Sequence, residues 1–458
     1  MAFWSAYTVS GFGTYITTLA LQVLVVESLH GTATDVGLLN AARWLPYLFF
    51  GLVAGALVDR RRRKPILVGT DLARGILLLA IPLLYALGWL NLVVLIVFVA
   101  FFGVFSLFGD AASQSFLPRI VAKQDLLAAH ARADQSDAVA QTSGPLVAGG
   151  LVTLLGAPVA VLADAVSYLF SALAISRIRV AEPVERSDAS LRSLRAEIAE
   201  GLRWVYRHRV LAPMAIGSHV WFLSNSMLGT VFVAFVLLEL RLSPFELGIT
   251  LAAAGVAGLL GSSFSTRFGM KWGAGRAVII CNCLMSIAWA IIAVVPTGSG
   301  QKWFVIPVLA AGQALYGLAL GLSNANEMGY RQAVTPDHLQ GRMNTTIRSA
   351  NRAMIVVGAP AGGLLAVSIG YQSGTNRRCG SLSGDSRLLR FSWQPRHFDR
   401  PVTETLLRAA STRDCGSMTC SPAHVTARCV SRTDDGRWPA VRDFPAIRTG
   451  PRARSRWA

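Results

Sequence analysis

The chain has 458 residues, 53% of them hydrophobic and 15% charged, with a formal charge of +18. That balance excludes a soluble basic domain: nucleic-acid binders carry cations on a folded polar surface, whereas here Arg60 to Lys64 stand between long apolar runs. Six cysteines, of which only Cys281 and Cys283 fall in the apolar part, give no disulfide framework, and no cofactor or metal set is legible.

A hydrocarbon core of roughly 30 Å takes about 20 apolar residues per helix. In chain order, windows of that kind lie near 3–26, 36–58, 66–87, 90–112, 131–155, 157–176, 211–238, 245–265, 276–295, 303–325 and 346–369. An all-α membrane protein with about 11 transmembrane helices is expected, because such continuous runs do not alternate as barrel strands do. The opening MAFWSAYTVS begins the first span, lacking both the basic stretch and the small-residue cleavage site of a signal peptide. Cations fall in every second turn: Arg60 to Lys64, Arg119 and Lys123, eight arginines from Arg177 to Arg209, Arg267 to Arg276, then Arg331 and Arg342. The alternate turns hold only Arg241 and Lys302. Basic turns stay inside, so the N-terminus is expected in the cytoplasm and the chain in the cell membrane.

Residues 177–210 form the longest polar interruption and divide an N-terminal bundle, 1–176, from a C-terminal bundle, 211–370. Within it Leu191, Leu194, Ile198, Leu202 and Val205 recur at helical spacing, which predicts an amphipathic helix over about 190–207, lying on headgroups or against the floors of the bundles. The halves echo each other: Gly144, Pro145, Gly149 and Gly150 of span five match Ala359, Pro360, Gly362 and Gly363 of span eleven in kind. Such duplication marks transporters built from related bundles around a central site.

GALVDRRRRK resembles the loop motif of the major facilitator superfamily, with Gly55, Leu57, Asp59, Arg60, Arg63 and Lys64 on the pattern and Arg62 in place of its inner glycine. GPLVAGG resembles the exporter-type motif of helix five, with one additional residue between proline and glycine pair. LPYLFFGLVAGALVDRR, DLARGILLL, LFGDAASQSFLPRIV and LADAVSYLFSALA are similar to the branch holding the enterobactin exporter and macrolide-efflux proteins. The resemblance covers about residues 1–370. It implies twelve helices in two six-helix halves around a cavity that opens to either side in turn. It also implies that Asp59 holds the inner gate by meeting Arg342 or Arg348; the plainer reading of Asp59 is charge balance within its loop.

Ionisable residues inside spans are expensive and therefore candidates: Arg43, Asp71, Arg74, Asp134, Asp137, Asp164, Arg348 and Arg352. Asp71 and Arg74, one turn apart, serve equally well as a neutralised pair. Asp137 and Arg352 each precede a proline by eight residues, so opposing contacts between bundles are expected of them. Polar stripes suggest a cavity lining: Ser10, Thr14, Thr18 and Gln22 in span one, and Ser218, His219, Trp221, Asn225 and Ser226 in span seven. Hydroxyls bonded to their own helix backbone are the competing account, and a structural role competes with proton exchange at His219. Asp164 and Asp137 are the candidates for a coupling proton.

After residue 370 a twelfth span is expected, yet 371–458 holds sixteen arginines, no lysine and four cysteines. Such a segment outside the cell opposes the charge rule, and a shifted reading frame or truncated gene is the reading it supports, with a disordered chain. Cys415, Cys420, His424 and Cys429 lack the spacing of a zinc knuckle. Taken together, the residues predict a monomeric secondary transporter, not an enzyme, exporting a drug-like or siderophore-like molecule, with protons as coupling ion and the lipid bilayer as solvent. A truncated, non-transporting remnant or membrane sensor is the alternative.

Overall fold

The structure is a computed structural model that describes residues 2–59, 61–180, 191–296 and 302–369. The Arg-rich segment 371–458 and the linker residues 181–190 lie outside the described residues. The described residues form α1 (Ala2–Val23), α2 (Ala33–Asp59), α3 (Arg63–Ala86), α4 (Leu92–Ile120), α5 (Leu126–Leu155), α6 (Ala157–Ser176), α7 (Leu191–Arg207), α8 (Leu211–Ala234), α9 (Pro244–Trp272), α10 (Ala274–Ala293), α11 (Lys302–Ala333) and α12 (Asp337–Ile369). Ten of them have the length and apolarity to cross a membrane. The 27-residue α2 covers the window read at 36–58 and packs on α4 and α12.

Five helices clearly outrun their apolar windows at the basic end: α4 continues to Ile120, α5 begins at Leu126, α9 continues to Trp272, α11 continues to Ala333 and α12 begins at Asp337. Polar residues keep helical hydrogen bonds where water replaces hydrocarbon, so apolar length understates helix length.

The two halves repeat in detail at the opposite end. A π-helical turn closes α1 (Leu24–Ser28) and another closes α8 (Phe235–Glu239). Each is followed by a residue at positive φ, His30 at 52° and Arg241 at 51°. Next comes a hydroxyl residue whose amide donates to an acid three residues on: Thr32 N to Asp35 Oδ2 at 2.7 Å, and Ser243 N to Glu246 Oε2 at 2.7 Å. These acids occupy helix N-termini, where backbone N–H groups and the dipole favour a carboxylate.

Burial differs between the ends. At the end with few cations, one apolar cluster draws on both halves, among others Leu24, Val36, Leu39, Val152, Val236, Leu247 and Ile292. At the basic end the clusters are separate, one around Val58, Leu67 and Phe116, the other around Val205, Leu211, Met343 and Ile347. The latter answers the question left open for the amphipathic helix: α7 docks on α8 and α12, with Val205 fully buried and Gly201 against Arg342 and Thr346.

Candidate functional site

The sealed end is made by glycines that let backbones touch. A Cβ on Gly149 would stand 2.4 Å from the Pro244 carbonyl oxygen, and one on Gly248 2.6 Å from the Pro145 carbonyl oxygen, which locks α5 to α9. Across the molecule, Gly363 would meet the Ala33 oxygen at 2.3 Å and Gly37 the Ala359 oxygen at 2.4 Å, locking α12 to α2. Small residues let helices approach this closely in lipid. Gly150 faces the Phe245 ring and Gly144 faces Tyr15.

Between the halves lies a cavity of about 1310 Å³. It is walled by α2 (Trp44, Tyr47, Gly51), α4 (Leu107 to Ser115), α8, α10, α11 and α12, and by Glu197 and Ile198 of α7. Gln114, Glu197, Arg331, His338 and Arg342 place its mouth at the basic end.

Residues of three helices, α2, α4 and α12, meet around its charged groups. Arg352 of α12 stacks on Trp44 of α2 at 3.7 Å from the ring centre and lies 5.3 Å from the ring of Tyr47. The Tyr47 hydroxyl donates to Asp110 Oδ2 of α4 at 2.6 Å. Arg348, one turn before Arg352, also lines the space. Toward the mouth, Glu327 pairs with Arg331, and Arg342 pairs with Glu200 and, at 3.9 Å, with Glu197. Asp110, Tyr47 and Glu327 were not singled out in the sequence. Asp110 was legible as an acid inside the fourth window, whereas Glu327 lies just past the tenth.

Of the residues read as cavity lining, Ser218 and Trp221 are there, Trp221 donating Nε1–H to Met285 Sδ at 3.3 Å. The span-one stripe does not line this cavity. The Ser10 hydroxyl donates to the Tyr7 carbonyl, Thr14 to the Ser10 carbonyl at 2.9 Å, and Thr18 to the Thr14 carbonyl at 2.6 Å, the competing account for hydroxyls. Thr18 also accepts from Arg43 at 2.6 Å, Thr14 meets the Tyr168 hydroxyl at 3.0 Å, and Gln22 donates to Asn40 at 3.3 Å. Asn225 accepts from Tyr316 at 2.6 Å, and Ser226 donates to the Leu223 carbonyl. His219 bridges three helices: Nδ1 meets Asn351 Oδ1 at 2.6 Å, which only accepts, and Nε2 meets the Tyr206 hydroxyl of α7 at 2.8 Å. Burial raises the Tyr206 hydroxyl above its ordinary range.

A second polar cluster fills the first half. Arg74 pairs with Asp71, lies 4.3 Å over the Tyr168 ring and reaches its hydroxyl at 3.4 Å, while Ser171 donates to Asp71 at 2.6 Å. Asp164 is fully buried, accepts from Ser167 at 2.9 Å and presses on Gly13, and its Oδ2 has no hydrogen-bond partner among the described residues. Asp137 differs from its expected role: it accepts from Tyr7 of its own half at 2.6 Å, whereas Arg352 does reach the other half. The neighbouring Ser136 accepts from the Thr8 hydroxyl of α1 at 2.9 Å, so this stretch of α5 faces α1. Asp134 is exposed. Gly55 and Asp59 lie in α2, but the side chain of Asp59, and Arg60 altogether, lie outside the described residues. Arg63 and Lys64 open α3, with Arg63 buried.

Residues 1–382 match the family described as transmembrane secretion effector. The chain belongs to that family. The chain is thus a multi-pass membrane protein of the major facilitator superfamily, a transporter rather than an enzyme. It is 27% identical over 372 residues to the multidrug efflux pump Tap of Mycolicibacterium fortuitum, covering 80% of this chain and 88% of the relative. It is 22% identical to macrolide efflux protein A of Streptococcus pyogenes, covering 80% and 89%. Among solved structures, a bacterial homologue of the iron transporter ferroportin in an inward-facing state superposes with a TM-score of 0.66 at 16% identity, over 86% of this chain and 99% of that one. That likeness concerns the fold alone.

Proposed function

We propose that this chain is an efflux transporter that moves a small amphipathic compound out through the cell membrane by alternating access, in exchange for entering protons. One observation carries the reading: a cavity shared by both halves, with its mouth among the basic turns and its other end sealed by paired glycine contacts. Basic turns belong in the cytoplasm, so this arrangement faces inward and the N-terminus lies inside. The volume exceeds the usual range for drug-sized pockets, which suits a site that admits substrate with its water. The two named relatives, a multidrug and a macrolide efflux protein, support the same direction of transport.

Closure of the inner mouth brings Asp59 to Arg342 or Arg348, so Arg342 exchanges its α7 partners for the motif acid. Asp164 carries the coupling proton: a buried carboxyl with one oxygen unpartnered is tolerated when protonated and costly when charged. The protein works as a monomer, the cavity being complete within one chain.

Everted membrane vesicles test the reading. Energised vesicles holding the protein accumulate at least one member of a panel of fluorescent amphipathic compounds that spans anions, neutral molecules and cations, and a proton uncoupler collapses the accumulation. A full substrate panel with no protein-dependent flux sinks it.

A further inference from the structure

The charges of the cavity are unevenly placed, with the acids gathered toward the mouth. Toward the mouth Arg331 pairs with Glu327, and Arg342 has two acids, Glu200 and Glu197. Deeper in, two guanidinium groups, Arg348 and Arg352, face one carboxylate, Asp110. Asp110 already accepts the Tyr47 hydroxyl at 2.6 Å. Neither arginine has an ion-pair partner among the described residues. Arg352 rests on Trp44 at 3.7 Å, which leaves its in-plane N–H donors directed away from the ring face. Arg348 is exposed toward the same space.

An unpaired cation in a partly desolvated cleft attracts counter-charge, and the planar fork of a guanidinium matches a carboxylate or sulfonate in two parallel hydrogen bonds. The aromatic faces of Trp44, Tyr47 and Trp221 supply the apolar part of the same site. We infer that this cavity selects amphipathic anions: an aromatic or otherwise apolar body bearing a carboxylate or similar acidic group, which docks on Arg348 and Arg352. The inference rests on the export reading for its direction of transport, but not for its charge preference. A lipophilic cation would have to meet Asp110 alone while displacing or facing both arginines, and like charges at contact distance cost several-fold in affinity.

Two xanthene dyes of similar body and opposite charge, fluorescein and rhodamine 6G, test the preference by fluorescence polarisation on the purified full chain in detergent, with empty micelles subtracted. Fluorescein binds at least tenfold tighter than rhodamine 6G. Arg348→Gln weakens fluorescein about tenfold, the size of one lost charge-assisted contact, and Arg348→Lys, which keeps a point charge without the fork, falls between. Arg348 is exposed, so these variants fold; Trp44→Leu, which removes the platform under Arg352, weakens fluorescein independently. Equal or tighter binding of rhodamine 6G, no fluorescein binding, or fluorescein affinity unchanged in Arg348→Gln overturns the inference. Fluorescein that binds with this pattern yet is never accumulated by energised everted vesicles overturns the export reading instead and leaves the charge preference standing.

Discussion

Gly149 meets the Pro244 carbonyl so closely that a Cβ would stand 2.4 Å from its oxygen, and the partner seam repeats the contact with Gly363 at 2.3 Å from the Ala33 oxygen. In both cases the neighbour is backbone, which cannot rotate aside.

Gly149→Ala or Gly363→Ala therefore pries the sealed end open and shifts the population toward the outward-facing state. A cysteine at Val152, buried beside the seam, reports this. Impermeant maleimide on intact cells is expected to label Val152→Cys several-fold faster when Gly149→Ala is also present. Unchanged labelling removes the seam from the gating scheme.

Asp164→Asn mimics a permanently protonated acid. The variant is expected to keep downhill substrate exchange and to lose accumulation driven by a proton gradient. Everted vesicles read both quantities in one preparation, and gradient-driven accumulation at the parent rate assigns the proton elsewhere.

Arg74→Leu strands the Asp71 carboxylate, which is 5% exposed. Removing one member of a buried pair costs about 3–5 kcal/mol, while removing both costs far less. The single variant should therefore melt well below the parent in detergent, and Asp71→Leu with Arg74→Leu should recover most of the loss. A single variant as stable as the parent shows that the pair is neutralised some other way.

Asp59→Asn is expected to abolish export at normal protein level, because Arg342 then has no partner to take it from Glu200 when the mouth closes. Transport assays with immunoblots of the membrane fraction decide this. Normal export leaves Asp59 as local charge balance.

Val205→Ala removes a fully buried contact between α7 and α12 and costs about 2 kcal/mol. Glu197→Gln, at a half-exposed pair, costs under about 1 kcal/mol. Hydrogen exchange across 196–207 should accelerate in the first variant and stay near the parent in the second; equal protection in both means that α7 is held by something other than the Val205 contact.

The span windows were legible because hydrocarbon thickness and helical rise are local constraints that every crossing helix satisfies with its own residues. So was the amphipathic α7, whose apolar positions recur at one period, although its choice of surface was not. Repeat register shows the limit. By type, Pro145 matches Pro360 and Gly149 matches Gly362; by contact, Pro145 corresponds to Ala359 and Gly149 to Gly363, since those atoms meet the equivalent backbones. Residue kind drifts by one position while the packing stays in phase.

Length, hydropathy and the alternation of basic turns, all properties of short stretches, determined that this chain is a helical membrane protein of two related halves. Tertiary structure alone decided which polar residues share the cavity, sending the span-one hydroxyls to their own backbone and Arg43, and bringing Tyr47, Asp110 and Arg352 together from three helices. The reason is geometric: a helix fixes which residues share its face, but the neighbour that face meets is chosen by packing against chain hundreds of residues away.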